Sequence, residues 1–344
     1  MKEKEQNNRN ILKEKKPLVY EKVIKYDMPR IQFQANYNCN FSCRHCSVND
    51  VKDHTRKLLS IDEIKDVFDQ ADEMGISRLT ISGGEPLIMN NLEKVVNAIG
   101  ADRFYIQCDT NAYYMNEEKA QFLKDIGIDC VAPSLDSLDT KAHDEFRNQE
   151  GSALKVLEAI DIVQKVGINI YIQTVVTKSR LYSEEFVEFL RFFNDKGIGV
   201  FVSAAKPVGS FAGQFDDLLV KEDFDYLAKL EKYYNMFSHL TPAYGLNEER
   251  NCVAGKNIFG LSAYGDCLPC IYFYCSMGNV REESLKNIYD RMQRLNIFDE
   301  NTCVLADKSN SFIQKYVVPL YDKKLPVNWK NLLTPEDFDL KFFE

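Results

Sequence analysis

Three cysteines stand at CxxxCxxC spacing in Cys39-Asn40-Phe41-Ser42-Cys43-Arg44-His45-Cys46, directly after an alternating run from Arg30 to Tyr37. Thiolates are soft ligands suited to zinc and to iron-sulfur clusters. A structural zinc site normally closes with four ligands, and no fourth cysteine lies nearby in the sequence. Three thiolates on a four-iron cubane leave one iron open to another molecule. A second group comprises Cys252, Cys267, Cys270 and Cys275, with Cys303 further on. Spacing alone leaves zinc on Cys252, Cys267, Cys270 and Cys275 open as well as an iron-sulfur cluster.

The elements that must position these thiols alternate in a regular way. After the strand at 30–37, residues 61–74 carry helical spacing, with Ser60 as N-cap and Glu63 completing a capping box. Strands are expected at 78–82, ending in Gly83-Gly84, and at 104–108, 128–135, 168–176 and 199–204; helices at 91–99, 116–126, 153–166 and 183–196. Such strand-then-helix units imply parallel strands with right-handed crossovers. The fold class is therefore α/β, a partial (β/α)6 TIM-like barrel. An open doubly wound sheet is the competing reading, and either architecture puts the chemistry at the C-terminal strand ends. That rule gathers Cys39, Gly83, Cys108, Ser134, Thr177 and Lys206 at one mouth.

A helix is expected at 222–237, and then the pattern breaks. The stretch 258–264, a Gly265-Asp266 hairpin signal and a helix at 284–295 suggest a small C-terminal β-hairpin and helix domain. The expected divisions are a mobile polar leader and edge segment at 1–27, a core at 28–240, the small domain at 241–298 and a tail at 299–344, whose role the sequence does not disclose.

The chain has 344 residues, is 45% hydrophobic and carries a net charge of -9, which gives no global attraction to nucleic acid or an anionic membrane. No apolar run approaches the roughly 20 residues of a membrane span, and the N-terminus lacks a signal-peptide apolar region. The expected location is cytoplasmic. Ten cysteines in a reducing compartment point to metal or redox chemistry before disulfides. Cys108 and Cys130 read as buried small hydrophobes.

The Cys39, Cys43, Cys46 motif resembles that of the radical S-adenosylmethionine (SAM) superfamily, and the resemblance runs from about Arg30 to Arg294. It implies a [4Fe-4S] cluster on the three thiolates, with SAM chelating the open iron and yielding a 5'-deoxyadenosyl radical on reduction. His45 fits the family's preference for an aromatic before the last ligand. Gly83-Gly84-Glu85-Pro86 resembles the family's GGEP segment, whose carbonyls and acidic side chain hold the SAM amino group. Ser134-Leu135-Asp136 and His143-Asp144-x-x-Arg147 are similar to further family segments; they make Ser134 a candidate for the SAM ribose or carboxylate and Arg147 one for the carboxylate. Lys206-Pro207-Val208-Gly209 is similar to a turn that lays backbone beside adenine. Asp109 and Asp136 are candidate bases, against the plainer reading of hydrogen-bonded loop carboxylates.

Cys252, Gly265 and Cys270 read as CX12GX4C, and Gly278-Asn279 with Glu283-Ser284-Leu285 follows; together these resemble SPASM and twitch auxiliary-cluster domains. The resemblance implies one auxiliary [4Fe-4S] cluster on Cys252 and Cys270, with Cys275 as third ligand and Cys267 and Cys303 competing for the fourth place. A free cysteine among them would instead be able to donate a hydrogen atom to a substrate radical.

The implied activity is hydrogen abstraction from a substrate carbon, on a ribosomal peptide (crosslink, thioether or epimerisation) or on a small carbohydrate or cofactor precursor. The implied partners are SAM, that substrate, and an electron donor such as flavodoxin or ferredoxin. A non-catalytic cysteine-rich metal-binding protein is the alternative from another class.

Overall fold

The computed structural model describes residues 29–242 and 249–339. The expected leader and edge segment at 1–27 lie outside the described residues. Strands β1 (Arg30–Asn36), β2 (Arg78–Gly83), β3 (Tyr105–Thr110), β4 (Cys130–Pro133), β5 (Asn169–Val176) and β6 (Gly199–Ala204) pair in parallel in sequence order. Helices α1 (Ile61–Glu73), α2 (Leu92–Ile99), α3 (Glu117–Asp125), α4 (Thr140–Arg147), α5 (Ser152–Val166), α6 (Lys178–Leu181) and α7 (Glu184–Asp195) lie between them. This is the α/β partial barrel that the strand–helix alternation predicts.

The two faces of the strands do different work, because successive side chains alternate. On β1, Ile31, Phe33 and Ala35 join the apolar core under the helices, where the Phe33 and Phe68 rings meet at 5.7 Å. On the other face Tyr105, Cys130, Ala132, Tyr171, Phe201 and Phe237 form a separate buried cluster. These residues come from β3, β4, β5 and β6 and, in Phe237, from the chain after β6, and they fill the inside of the barrel. Cys108 packs with the helix-side core and Cys130 with the inner cluster, both fully buried.

Helix α1 starts as its sequence specifies: the Glu63 N–H donates to Ser60 Oγ at 3.2 Å, and the Glu63 carboxylate accepts the Ser60 N–H at 2.7 Å. Ser60→Ala removes half of this reciprocal cap and should lower unfolding stability by about 1 kcal/mol, measured by urea titration; an unchanged midpoint would contradict the cap's contribution.

Three parts of the chain differ from expectation. The helix expected at 222–237 is α8 (Lys221–Leu230), followed by a short strand β7 (Met236–Phe237) paired with β6. Here tertiary pairing overrides the helical pattern: the Val200 N–H donates to Asn235 O, and Phe237 closes the inner aromatic cluster. Helix α4 was not anticipated; Asp139 caps it, accepting from the Lys141 and Ala142 N–H groups. The C-terminal hairpin, β8 (Ile258–Leu261) and β9 (Asp266–Leu268), does not stand apart. Strand β8 pairs in parallel with β1, aligning Arg30 with Ile258, and among the described residues extends the barrel sheet to ten strands ordered β11-β9-β8-β1-β2-β3-β4-β5-β6-β7, where β11 is Gly278–Asn279. Its run Ile-Phe-Gly-Leu is buried throughout, as a strand covered on both faces should be.

Two-residue strands β10 (Cys275–Ser276) and β11 (Gly278–Asn279) precede α9 (Leu285–Met292). The tail then folds back across the molecule. Its strand β12 (Val327–Asn328) pairs with β10, Lys308 N–H donates to Leu219 O, and Tyr321 OH donates to Pro207 O at 2.7 Å. The segment whose role the sequence left open thus straps the loop after β6. Among the described residues no helix is long and apolar enough to cross a membrane.

Candidate active site

The cysteine motif forms the loop leaving β1, at the mouth formed by the C-terminal strand ends. Cys39, Cys43 and Cys46 line one cavity together with Gly83, Gly84 and Ser134. Cys39 is exposed, Cys46 half-buried and Cys43 buried.

Neighbouring backbone fixes this loop at close range. Gly84 N–H donates to Asn36 O at 2.7 Å and Glu85 N–H to Asn38 O at 2.8 Å. A Cβ on Gly83 would stand 2.1 Å from Asn36 O and one on Gly84 1.9 Å from Asn38 O, so only glycine lets the two loops meet. Gly83 also has φ +117°, a region open to glycine. On the other side Ser210 N–H donates to Cys46 O at 2.8 Å, and a Cβ on Gly209 would lie 2.1 Å from the same oxygen. The His45 ring stacks on Phe146 at 4.5 Å. The turn at 206–209 therefore clamps the cysteine loop, a contact the sequence reading did not foresee.

Burial raises all three thiols, Cys39 to about 11, against N–H donors that favour the thiolate. For Cys39 that donor is Phe41 N–H, at 3.4 Å from Sγ. For Cys46 they are Val48 and Asn49. At Cys43 the opposing group is the Arg147 guanidinium. Three soft donors, a cradle of backbone groups and the absence of side-chain bulk at Gly83, Gly84 and Gly209 fit a cluster with three protein ligands. Among the described residues no three His, Cys, Asp or Glu side chains converge as tightly as a single metal ion requires.

Other expected site residues fall in the same cavity with different commitments. The Glu85 carboxylate, expected to face the SAM amino group, accepts three hydrogen bonds from the protein: from Thr110 Oγ1 at 2.6 Å, Asn111 N–H at 2.7 Å and Leu87 N–H at 2.9 Å. Burial pushes this carboxyl up to about 7. It ties the GGEP loop to the end of β3, and the Pro86 ring begins the buried turn beyond it. Arg147, expected near the SAM carboxylate, donates Nε to Asp136 at 2.6 Å and reaches the Cys43 thiol. Burial alone would raise Asp136, but Arg147 and the neighbouring His45 and His143 hold it well below the usual carboxylate range. With its other oxygen on Val175 N–H at 2.9 Å, Asp136 is a structural anchor rather than a base. Asp109 lies in the cavity itself, raised to about 6 by burial and held by Gln173 and Gln107.

The second cysteine group divides. Cys252 N–H donates to Glu300 O at 2.8 Å and Gly255 N–H to Pro269 O at 2.8 Å, drawing together the loops that carry Cys252, Cys270 and Cys303. Burial raises the Cys252 thiol, as do Cys303 and Cys270; Cys270 is pushed up to about 11 by burial, with Cys303 adding to it. Cys267 and Cys275 are fully buried in the apolar core, where the charges that act on them are carboxylates and no other cysteine. Strands β9 and β10 thus carry Cys267 and Cys275 into the apolar core, whereas Cys252, Cys270 and Cys303 lie within electrostatic reach of one another.

A parallel α/β partial barrel that gathers three loop thiols in one cavity at its mouth fits the class of iron-sulfur enzymes built on a partial TIM barrel. The chain matches the radical SAM superfamily model over residues 35–200 and the SPASM iron-sulfur cluster-binding domain over residues 252–310. It belongs to the radical SAM superfamily and carries a SPASM domain. Its cofactors are accordingly SAM, the [4Fe-4S] cluster that binds it, and auxiliary iron-sulfur.

Among relatives, the GTP 3',8-cyclase of Listeria monocytogenes is 33% identical over 186 residues, 52% of this chain and 54% of that protein. The antilisterial bacteriocin subtilosin biosynthesis protein AlbA of Bacillus subtilis is 24% identical over 267 residues, 75% of this chain and 58% of that protein. The chain thus spans little more than half the length of either. Streptococcus suis SuiB bound to precursor peptide SuiA shares the fold, with a TM-score of 0.61 at 19% identity over 76% of this chain and 65% of that one.

Proposed function

We propose that this radical SAM enzyme abstracts hydrogen from a ribosomally made peptide, to form a crosslink or thioether or to invert a stereocentre. When bound, the reduced cluster and SAM supply a 5'-deoxyadenosyl radical. The chain's own residues hold the cysteine loop, orient SAM through the GGEP backbone and Ser134, and exclude water.

The observation that carries the peptide reading is the charge of the cavity. Among the described residues its charged lining side chains are Glu85, Asp109 and Arg147, and the first and last hydrogen-bond to other protein groups. Recognition of a nucleoside triphosphate calls for several free cations. Ser82, Gln173, Thr174 and Ser203, with the aromatic Phe41 and Tyr272, instead suit the amides and apolar side chains of a peptide. AlbA and the SuiB complex are consistent with this reading. The small-molecule reading draws on the GTP cyclase match, which covers about half of the chain. An external electron donor such as flavodoxin or ferredoxin belongs to the same proposal.

The test is turnover. Anaerobically reconstituted protein with SAM and reductant should release 5'-deoxyadenosine and remove hydrogen from a short peptide encoded beside its gene, read by mass spectrometry. Conversion of GTP with no change in such peptides would overturn the reading.

A further inference from the structure

The cysteine loop has two limbs, and different parts of the chain hold them. The Cys39 limb meets the GG segment through Asn36 O and Asn38 O. On the Cys46 limb two successive carbonyls are bonded: Cys46 O accepts the Ser210 N–H at 2.8 Å, and Ser47 O accepts the Tyr274 hydroxyl. A third bond runs from Asn49 Nδ2 to Ser210 Oγ at 2.6 Å. The support of this limb traces back to the C-terminal part of the chain. Tyr321 OH donates to Pro207 O at 2.7 Å and accepts the Gly213 N–H at 3.3 Å, bracketing the turn that carries Gly209 and Ser210. Tyr274, buried just before β10, is itself fixed by the tail, whose Val327 N–H donates to Tyr274 O at 2.9 Å.

We infer that Tyr274 and Tyr321 are positioning residues for the cluster on Cys39, Cys43 and Cys46: acting through Ser47 and the 207–210 turn, they set the direction in which Cys46 presents its thiolate. Each peptide unit is planar, so pinning the carbonyls of Cys46 and Ser47 removes most of the rotation open to the chain just beyond the ligand. Both bonds end on backbone oxygens, so they fix the path of the loop and leave the thiol itself free to bind iron. Groups that orient a metal ligand govern metal affinity alongside the ligand itself. The C-terminal part of the chain therefore serves the SAM site as well as carrying the second cysteine group. The role is independent of which substrate is modified.

The experiment follows the electron paramagnetic resonance of reduced, reconstituted full-length protein, in which the signal that changes on adding SAM belongs to the cluster with the open iron. Tyr274→Phe and Tyr321→Phe keep the rings and remove only the hydroxyls. In each variant EDTA should strip the SAM-responsive signal about tenfold faster than in the parent, while the SAM-insensitive signal decays at the parent rate. Equal acceleration of both signals, acceleration of the second alone, or no acceleration would overturn the inference, because a general loss of fold does not distinguish one cluster from the other. Where a variant takes up too little iron to follow, amide exchange in the metal-free protein decides: the Ser210 N–H should exchange about fivefold faster in Tyr321→Phe, and an unchanged rate would overturn the inference. Tyr321 is 36% exposed and accommodates the change, so its variant decides the matter if Tyr274→Phe does not fold.

Discussion

Gly84→Ala should strip the enzyme of its radical chemistry without touching a cysteine. The added Cβ would stand 1.9 Å from Asn38 O, and that oxygen belongs to the residue before Cys39. Because the close atom is backbone, no side chain can swing aside. The loop must lift, breaking the Glu85 N–H bond to Asn38 O and moving Cys39 away from Cys43 and Cys46. Displacing the support of a metal ligand typically costs roughly 10- to 100-fold in affinity or activity, and here the whole ligand loop moves. Iron bound after reconstitution and the rate of 5'-deoxyadenosine release should fall together. A variant with full iron content and normal SAM cleavage would show that the GG segment does not set the loop.

The second large effect separates the two cysteine groups. Cys43→Ala should abolish SAM cleavage, since two thiolates cannot hold a cluster presented by three. Cys43 is the buried member of its trio and the one that meets Arg147, so the loss also leaves that guanidinium without one of its partners. Cys270→Ala should spare SAM cleavage far more than product formation, because Cys270, Cys252 and Cys303 are not among the residues lining the cavity of Cys39, Cys43 and Cys46. The check is the ratio of 5'-deoxyadenosine to modified peptide: high in Cys270→Ala, and undefined in Cys43→Ala, where neither forms. Equal losses of both products in Cys270→Ala would contradict the division of labour.

Much of the barrel was legible because it is written in period. The alternation on β1 and the capping box at Ser60 and Glu63 are local signals, and the structure follows them. The GG after β2 announced a tight turn, but its close approach to Asn36 and Asn38 is a tertiary fact no local pattern contains. The same holds for Gly209, which read as a turn and proves to press on Cys46. Strand β7 was hidden because a two-residue strand has no period of its own; its pairing with β6 creates it. The hairpin's continuity with the barrel was likewise invisible, although the unbroken apolar run at 258–261 is what a strand buried on both faces looks like. At the second cysteine group, spacing favoured Cys275 over Cys303. The path of the tail, which no spacing contains, brings Cys303 within electrostatic reach of Cys252 and Cys270, while Cys267 and Cys275 sit on strands that face the core. Glu85 and Arg147 were picked out by motif position, whereas their hydrogen-bond commitments to Thr110, Asn111 and Asp136 depend on where β3, β4 and α4 end.

Iron per chain after anaerobic reconstitution tests the account most directly. The parent protein should hold about eight irons as two four-iron clusters, and about four once Cys252, Cys270 and Cys303 are replaced by alanine. Replacing Cys267 and Cys275 together should leave about eight. Zinc in place of iron, or loss of the second cluster on replacing Cys267 and Cys275 but not on replacing the Cys252, Cys270 and Cys303 trio, would contradict it.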